Sequence, residues 1–186
     1  NESPGPKFNF TPHEENGFMS YAAIAARNLN AEYHCVAWSG QGLYRDRGEK
    51  TENQMPDRLL MTIPQTNNKD YDLSQYIPDY FVVNLGTNDT AKSVPPEVEY
   101  VACAEKLVAT VLKAAPNCQI YFCMGPMIGG EKKAAIKGYY EQVAAKNDQV
   151  FVVNLPNAKY PTEAGSHWHP KVAAHQRCGD ALSEAI

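Results

Sequence analysis

Residues 80–89 read Tyr-Phe-Val-Val-Asn-Leu-Gly-Thr-Asn-Asp, an apolar run that passes directly into a polar turn. The Phe-Val-Val run is typical of a strand that is buried on both faces, as in a parallel sheet. Such sheets bind ligands in the crevice beyond the carboxyl ends of their strands, so the amide side chain of Asn88 is a candidate functional group. The same turn residues also form ordinary strand-to-helix connections, and these ten residues alone leave both interpretations open.

On either side of this strand, apolar runs and helical patterns alternate along the chain. Strands are predicted at 33–37, 80–84, 119–123 and 150–154, and helices at 17–30, 96–115, 130–146 and 170–185. The connection 40–79 is rich in Gly, Asn, Asp and Pro, with weak helical patterns near 56–62 and 72–76. Continuous apolar strands that alternate with helices predict a parallel sheet covered by helices on both faces.

Composition limits the class of protein and of partner. The 186 residues are 44% hydrophobic and 20% charged, which favours one α/β domain with a sizeable core. The formal net charge is −4 and no basic cluster exceeds the pair Lys132-Lys133. Nucleic acid and membranes are therefore not expected partners. A neutral or small molecule is the expected partner.

Five cysteines, at 35, 103, 118, 123 and 178, show neither a Cys-x-x-Cys pair nor zinc-ligand spacing. Cys35 and Cys123 lie in strand-like runs, where a free cysteine behaves as a small buried hydrophobe. Cys118 and Cys178 are the candidates for exposed thiols. The pattern selects no disulfide pair.

A second polar cluster, Ser-His-Trp-His-Pro at 166–170, precedes the last predicted helix. Two histidines that are two residues apart point to opposite sides of an extended chain, which disfavours a metal site that uses both. We predict no metal and no cofactor. One histidine either packs on Trp168 at the start of the helix or acts as a general base near neutral pH.

A third cluster, Trp-Ser-Gly-Gln-Gly at 38–42, follows the predicted strand 33–37. Ser39 is disfavoured as a nucleophile, because the Gly-x-Ser-x-Gly elbow needs glycine where Ala37 and Gln41 stand. Gly40 is better interpreted as a backbone N–H donor that an anion can approach closely. The clusters therefore suggest an oxyanion hole and a base that lack their nucleophile.

These three clusters resemble the later sequence blocks of the SGNH/GDSL hydrolase superfamily. Longer strings at 15–31, 36–40 and 168–170 resemble carbohydrate esterase family 2, whose members are secreted deacetylases of plant polysaccharides. The resemblance covers nearly the whole chain. It implies a three-layer α/β/α sandwich with a parallel, flavodoxin-like sheet, in which His169 is the base and Gly40 and Asn88 hold the oxyanion.

Aromatic residues flank the predicted crevice. Trp38, Tyr44 and Trp168 carry flat rings that can stack on the apolar faces of sugars. For both tryptophans, packing in the core is an equally open interpretation. Tyr44 lies in a polar stretch and is the better candidate for a sugar contact.

The nucleophile is expected outside residues 1–186. The resembled family carries its serine in a Gly-Asp-Ser block at the end of the first, central strand, and this chain has no such block. Ser3 is a poor substitute, since it stands between Glu2 and Pro4 with no strand before it. We expect a single incomplete catalytic domain at 1–186, with the missing strand and a β-sandwich domain upstream in the same polypeptide. A five-stranded sheet built from 1–186 alone would contradict this.

The group that orients His169 is also unusual. The superfamily commonly has Asp three residues before the base, where this chain has Ser166, and the nearest acidic residue is Glu163. Because the base needs a fixed tautomer, we expect a main-chain carbonyl near 166 or 167 to orient its ring.

The resemblance implies a secreted serine esterase that removes acetyl groups from xylan or glucomannan. Its expected partners are the acetylated polysaccharide or oligosaccharide and the N-terminal part of the same protein. Two alternatives stay open. One is another SGNH lipase, esterase or thioesterase, and the other is a catalytically silent carbohydrate-binding module.

Overall fold

The computed structural model of the chain describes residues 2–63, 65–66 and 68–186. The helices are α1 (Tyr21–Asn28), α2 (Met55–Arg58), α3 (Glu97–Ala114), α4 (Gly130–Ala144) and α5 (Val172–Ala185). The strands are β1 (Tyr80–Val83), β2 (Gln119–Met124) and β3 (Val150–Asn154). Short 3-10 turns lie at Pro12–Glu14, Gly17–Met19, Leu73–Gln75 and Ser166–Trp168.

The three strands form one sheet in the order β1-β2-β3. β1 and β2 run parallel, with Tyr80 opposite Gln119 and Val83 opposite Phe122. Five consecutive residues of β2, 120–124, are buried, as expected of a central strand that is covered on both faces. The predicted strands 80–84, 119–123 and 150–154 are thereby confirmed.

The long helices begin and end where local signals predict. α3 follows Pro96, carries Glu97 and Glu99 in its first turn and ends before Pro116. Acidic side chains at a helix N-terminus are stabilised by the helix dipole, and proline cannot continue a helix. α3 packs against α4, and α4 packs against β2, where the Tyr140 ring stacks on Phe122 with centroids 4.2 Å apart.

The chain divides into two compact units, each made from separate stretches of sequence. The first unit comprises 1–35, 125–129 and 153–186, and the second comprises 36–124 and 130–152. α1 and α5 pack together in the first unit, while β1, β2, α3 and α4 build the second. The expectation of a single incomplete catalytic domain stays a prediction.

The predicted strand 33–37 is wrong. Residues 31–39 have no regular secondary structure and are exposed to solvent. β conformation is stabilised by a partner ladder and by burial rather than by residue preference alone, and no described segment supplies either to 33–37. β1 is an edge strand of the described sheet. The described residues form a three-stranded sheet, not the five-stranded sheet that would have contradicted a missing first strand. The missing strand therefore stays a prediction.

Cysteine burial follows these strand assignments. Cys35 is exposed because its strand does not form, whereas Cys123 in β2 is buried as predicted. Cys118 and Cys178 are buried, so the expectation of exposed thiols there is wrong. Burial raises the pKa of the Cys118 thiol to about 11, which makes it a poor nucleophile.

Gly179 gives a test of the α1–α5 packing. A Cβ at this position would lie 2.6 Å from Ile24 Cγ2 and 2.9 Å from the carbonyl oxygen of Tyr21. We therefore expect Gly179→Ala to lower the free energy of unfolding by about 1 to 3 kcal/mol through overpacking. Urea denaturation measures this change.

Gly138 in α4 is the matched control, because a Cβ there meets no atom within 4 Å. Gly138→Ala should raise the free energy of unfolding by about 0.5 to 1 kcal/mol, since alanine is the better helix former. Equal shifts in the two variants would refute close packing at Gly179.

Candidate active site

The second unit brings the loop after Trp38 and the turn after β1 together. Asn88 Nδ2 donates a hydrogen bond to the Gln41 carbonyl oxygen at 2.8 Å. Gln41 follows Gly40, whose φ of +79° lies in the left-handed region that favours glycine. The two predicted oxyanion donors are thus joined through one residue. A carboxamide carries two N–H donors, and this contact occupies one of them.

Asp89 lies in the turn after β1 and is the hub of this arrangement. Its side chain is 1% exposed, and its carboxylate accepts hydrogen bonds from the backbone N–H groups of Leu43 (3.1 Å), Tyr44 (2.8 Å) and Arg45 (3.0 Å). Arg45 Nε in turn donates to the Asp89 carbonyl at 2.8 Å. Burial raises the pKa of the Asp89 carboxyl, while the three N–H donors act in the opposite direction.

Gly42 is required by the same hub. A Cβ at Gly42 would lie 2.3 Å from Asp89 Oδ2 and 2.2 Å from the carbonyl oxygen of Arg45. Its N–H donates to Gln54 Oε1 at 3.1 Å. The sequence does contain this signal, because a second glycine two residues after Gly40 marks a close approach of the backbone.

The predicted sugar contacts of this unit differ in environment. Trp38 is 37% exposed, so its side chain does not pack in the core. The Arg58 guanidinium carbon lies 4.7 Å from the Trp38 ring centroid, and Arg58 Nε donates to Gln41 Oε1 at 3.3 Å. Arg58 covers one face of the indole, so a sugar can stack only on the other face. Tyr44 is half-buried and held at its backbone by Asp89.

The first unit holds the predicted base. His169 Nδ1 lies 3.3 Å from the carbonyl oxygen of Ser166, which confirms the expected main-chain contact. A carbonyl oxygen can only accept, so this contact places the ring hydrogen on Nδ1 and leaves the lone pair on Nε2. This is the tautomer that a general base requires.

The backbone just before His169 is strained. His167 and Trp168 have φ values of +51° and +64°, in a region that residues other than glycine rarely adopt. Tyr160 Oη donates to the Trp168 carbonyl at 3.0 Å and Trp168 N–H donates to Gly165 O at 3.0 Å, which holds this conformation. Strain of this kind concentrates at functional sites. Trp168 is 54% exposed, so its side chain does not pack in the core.

Glu163 does not orient His169, because other groups occupy its carboxylate. Arg177 pairs with both of its oxygens, and Lys159 N–H donates to Oε2 at 2.6 Å. The Arg177 guanidinium lowers the pKa of Glu163 to about 2. The Glu163 carbonyl also accepts from Lys171 N–H at 2.9 Å. This residue thus ties together the two ends of the segment that carries His169.

His175 is a residue that the sequence analysis missed. Its Nδ1 accepts the Tyr21 N–H at 3.3 Å, its ring lies parallel to Tyr21, and the ring donates a hydrogen bond to the Pro170 carbonyl. Burial lowers the pKa of His175 to about 4, so the ring is neutral in the folded protein at neutral pH. Within a helical pattern, no local signal separates such a histidine from a surface residue.

The two groups of residues lie in different compact units. Gly40, Asn88, Trp38 and Tyr44 belong to the second unit, and Trp168 and His169 belong to the first. In the part of the chain that the structure describes, no three His, Cys, Asp or Glu side chains are placed to hold a metal ion. No helix among those residues is long and apolar enough to cross a membrane.

The model of the GDSL-like lipase/acylhydrolase family matches residues 5–177. The chain is 36% identical to the cellulase/esterase CelE of Acetivibrio thermocellus over 193 residues, which cover all of this chain and 23% of CelE. It is 28% identical to an acetylxylan esterase/glucomannan deacetylase of Cellvibrio japonicus, over 92% of this chain and 48% of that protein.

A solved structure is also similar. A family two carbohydrate esterase from Clostridium thermocellum in complex with cellohexaose aligns with a TM-score of 0.92 and 35% identity, over 100% of this chain and 58% of that one. This similarity confirms the predicted α/β/α fold of SGNH hydrolases. The chain spans about a quarter of CelE and about half of the other curated relative.

Replacing Asp89 tests the hub. In Asp89→Asn, an NH₂ group replaces one acceptor oxygen, so buried N–H groups of residues 43–45 lose a partner. We expect the free energy of unfolding to fall by about 2 to 3 kcal/mol. The control is Asp46→Asn, whose carboxylate accepts from Gly48 N–H (2.7 Å) and Lys50 N–H (2.9 Å) in an exposed turn. Urea denaturation should show a much smaller loss there, and equal losses would contradict the hub.

The environment of His175 predicts a pH dependence. The unfolded state binds a proton near the ordinary histidine pKa of 6.5, whereas the folded state binds it only near 4. The folded state is therefore destabilised as pH falls from 6.5 toward 4. Replacing the ring in His175→Gln should make the plot of unfolding free energy against pH flatter over this range. Urea denaturation at pH 4, 5, 6 and 7 measures both slopes.

His13 provides the control for this measurement, because its side chain lies on the surface. Folding leaves that side chain in water, so His13→Gln should keep the wild-type slope. A His175→Gln variant with the wild-type slope would show that His175 is not the group that resists protonation.

Proposed function

The chain belongs to the GDSL-like lipase/acylhydrolase family, and on that premise we propose that it is a carboxylic ester hydrolase that removes acetyl groups from plant polysaccharides. One observation carries the proposal: Asn88 is hydrogen-bonded at 2.8 Å to the residue that follows Gly40. This contact ties the Asn88 amide to the loop that carries Gly40, and a side-chain N–H together with a glycine backbone N–H is the kind of donor pair that stabilises a tetrahedral oxyanion.

In the proposed reaction His169 is the general base. The attacking group is a serine hydroxyl. His169 Nε2 takes the hydroxyl proton as the serine oxygen bonds to the acetyl carbon, and returns it to the sugar oxygen as the ester bond breaks. Water then hydrolyses the acetyl-enzyme by the same sequence. Gly40 N–H and the Asn88 amide stabilise the negative oxygen in both steps.

The carbonyl of Ser166 takes the place that an Asp holds in a triad. It fixes the tautomer of His169 by accepting from Nδ1 at 3.3 Å, but it carries no full negative charge. The proposed imidazolium is therefore stabilised less than it would be beside a carboxylate. The left-handed backbone at His167 and Trp168 supports the proposal, because it turns the chain so that the Ser166 carbonyl meets the His169 ring.

The proposed substrate is an acetylated xylan or glucomannan. Trp38, Tyr44 and Trp168 are proposed to contact its sugar rings, and the exposure of both indoles to solvent supports stacking. Relatives named as acetylxylan esterase/glucomannan deacetylase favour this class over long-chain lipids or thioesters. Action on such a polymer requires the protein to leave the cell, and we therefore propose that it is secreted.

A second candidate is a polysaccharide-binding domain without catalysis. The complex of a 35% identical esterase with cellohexaose favours it, since that protein holds an unacetylated glucan. Acetate release separates the two candidates, because binding alone releases none.

Asn88→Ala tests the proposed oxyanion hole. In the full-length polypeptide, kcat for acetate release from acetylated xylan should fall by about 10² to 10³, since one hole donor contributes about 3 kcal/mol. The matched control is Asn28→Ala, because Asn28 Nδ2 makes exposed contacts with Asp180 (3.2 Å) and Ser183 (3.1 Å) on α5. That control should keep the wild-type kcat.

Two further measurements complete the test. His169→Gln should abolish acetate release, and wild-type activity on acetylated xylan should exceed its activity on long-chain nitrophenyl esters. Wild-type kcat in Asn88→Ala would remove Asn88 from the hole. Binding of xylan without acetate release by the wild-type protein would favour the second candidate.

A further inference from the structure

Two tyrosine hydroxyls form a buried chain beneath the turn that carries Asn88. Tyr100 of α3 and Tyr140 of α4 are both 0% exposed. Their hydroxyl oxygens are 2.8 Å apart, and Tyr140 Oη lies 3.1 Å from the carbonyl oxygen of Leu85. A carbonyl oxygen can only accept, so Tyr140 donates to Leu85 and Tyr100 donates to Tyr140. The hydrogen bonds therefore run in one direction, from α3 to the end of β1.

These two hydrogen bonds end at the Leu85 carbonyl, in the first peptide of the turn that carries Asn88. Leu85 precedes Gly86, whose φ of +115° lies in the region that favours glycine and where a Cβ would lie only 3.1 Å from Tyr100 Oη. The Gly86 carbonyl accepts from Thr90 N–H at 3.0 Å and from Thr90 Oγ1 at 2.9 Å. The start of the turn is thus held by Tyr140 on one carbonyl and by Thr90 on the next.

The rings themselves are fixed by packing. Tyr140 stacks on Phe122 of β2 with centroids 4.2 Å apart and an angle of 13° between the rings. The ring of Tyr100 lies tilted against Tyr140 at 5.7 Å. Burial raises the pKa of both tyrosines well above the ordinary value, so both hydroxyls keep their protons across the working pH range.

We infer that the Tyr140 hydroxyl, oriented by Tyr100, is a positioning group that sets the Asn88 amide for ester hydrolysis. The inference deepens the proposed function and rests on it. Removing the hydroxyl leaves the half-buried Leu85 carbonyl without this donor, and the peptide that starts the turn can then rotate. Asn88 lies three residues further along that turn, and small displacements of a catalytic group have large effects on rate. The ring packing on Phe122 does not depend on the hydroxyl.

Tyr140→Phe is the test, and Tyr139→Phe is its matched control. Tyr139 is the neighbouring residue of α4, its hydroxyl donates to the Pro95 carbonyl at 3.2 Å, and its ring also contacts Tyr100, at 5.6 Å. Both variants lose one hydroxyl that is bonded to one carbonyl. Only Tyr140 is bonded to the turn of Asn88.

In the full-length polypeptide, Tyr140→Phe should lower kcat for acetate release by about tenfold, with KM within about twofold of wild type. Tyr139→Phe should leave both constants within about twofold of wild type. Tyr100→Phe should lower kcat by less than Tyr140→Phe, because Tyr140 can still donate to Leu85. Thermal unfolding establishes that each variant is folded at the assay temperature.

A double-mutant cycle separates positioning from a purely structural role. If Tyr140 acts through Asn88, adding Tyr140→Phe to Asn88→Ala should cause no further loss of kcat. A purely structural hydroxyl would lower the melting temperature but would leave kcat of the folded protein unchanged. If Tyr140→Phe does not fold, Tyr100→Phe takes its place in the same cycle, where a severalfold loss of kcat that vanishes in Asn88→Ala is expected.

The outcomes distinguish this inference from the proposed function. Wild-type kcat in the folded variant, or an additive loss in the Asn88→Ala background, would overturn the role of Tyr140 and leave the esterase activity standing. A wild-type polypeptide that releases no acetate would overturn the proposed function, and this inference with it.

Discussion

The buried carboxylate of Asp89 is the interaction on which the second unit depends. It accepts three successive backbone N–H groups, from residues 43–45, and its own carbonyl accepts from the Arg45 side chain. Buried donors without partners are costly, so these bonds hold the loop after Gly40 against the turn after β1. Asn88 precedes Asp89, and Gly40 precedes this loop. The Asp89 contacts therefore position both proposed oxyanion donors, although Asp89 itself is not part of the proposed oxyanion hole.

In the first unit, main-chain contacts and an ion pair position the proposed base. The Ser166 carbonyl fixes the tautomer of His169, while Glu163 pairs with Arg177 and ties down the surrounding segment. Neutral His175 adds an anchor one residue beyond the proposed base, through Pro170. In both units, groups that take no part in the chemistry are buried or paired so that the proposed catalytic groups need little rearrangement.

The strands show where sequence patterns succeed and where they fail. The run 119–123 forms the central strand of the described sheet, because its continuous apolar character matches burial on both faces. The run 33–37 has comparable residues, yet it is exposed and irregular. A strand is stabilised by its neighbours, so residue preference cannot decide whether a suitable segment becomes one. The exposure of Cys35 follows from the same cause.

The sequence by itself determined the succession of strands and helices from 80 to 185, and it singled out Gly40, Asn88 and His169. Those features are local, since periodicity, turn residues and short motifs are properties of neighbouring positions. The tertiary structure alone decided the roles of Asp89 and His175. Asp89 meets its partners 44 to 46 positions away, and His175 meets Tyr21 at a separation of 154. Hydrogen bonds between such distant positions leave no local pattern, so only folding reveals which polar residue is buried and what it holds.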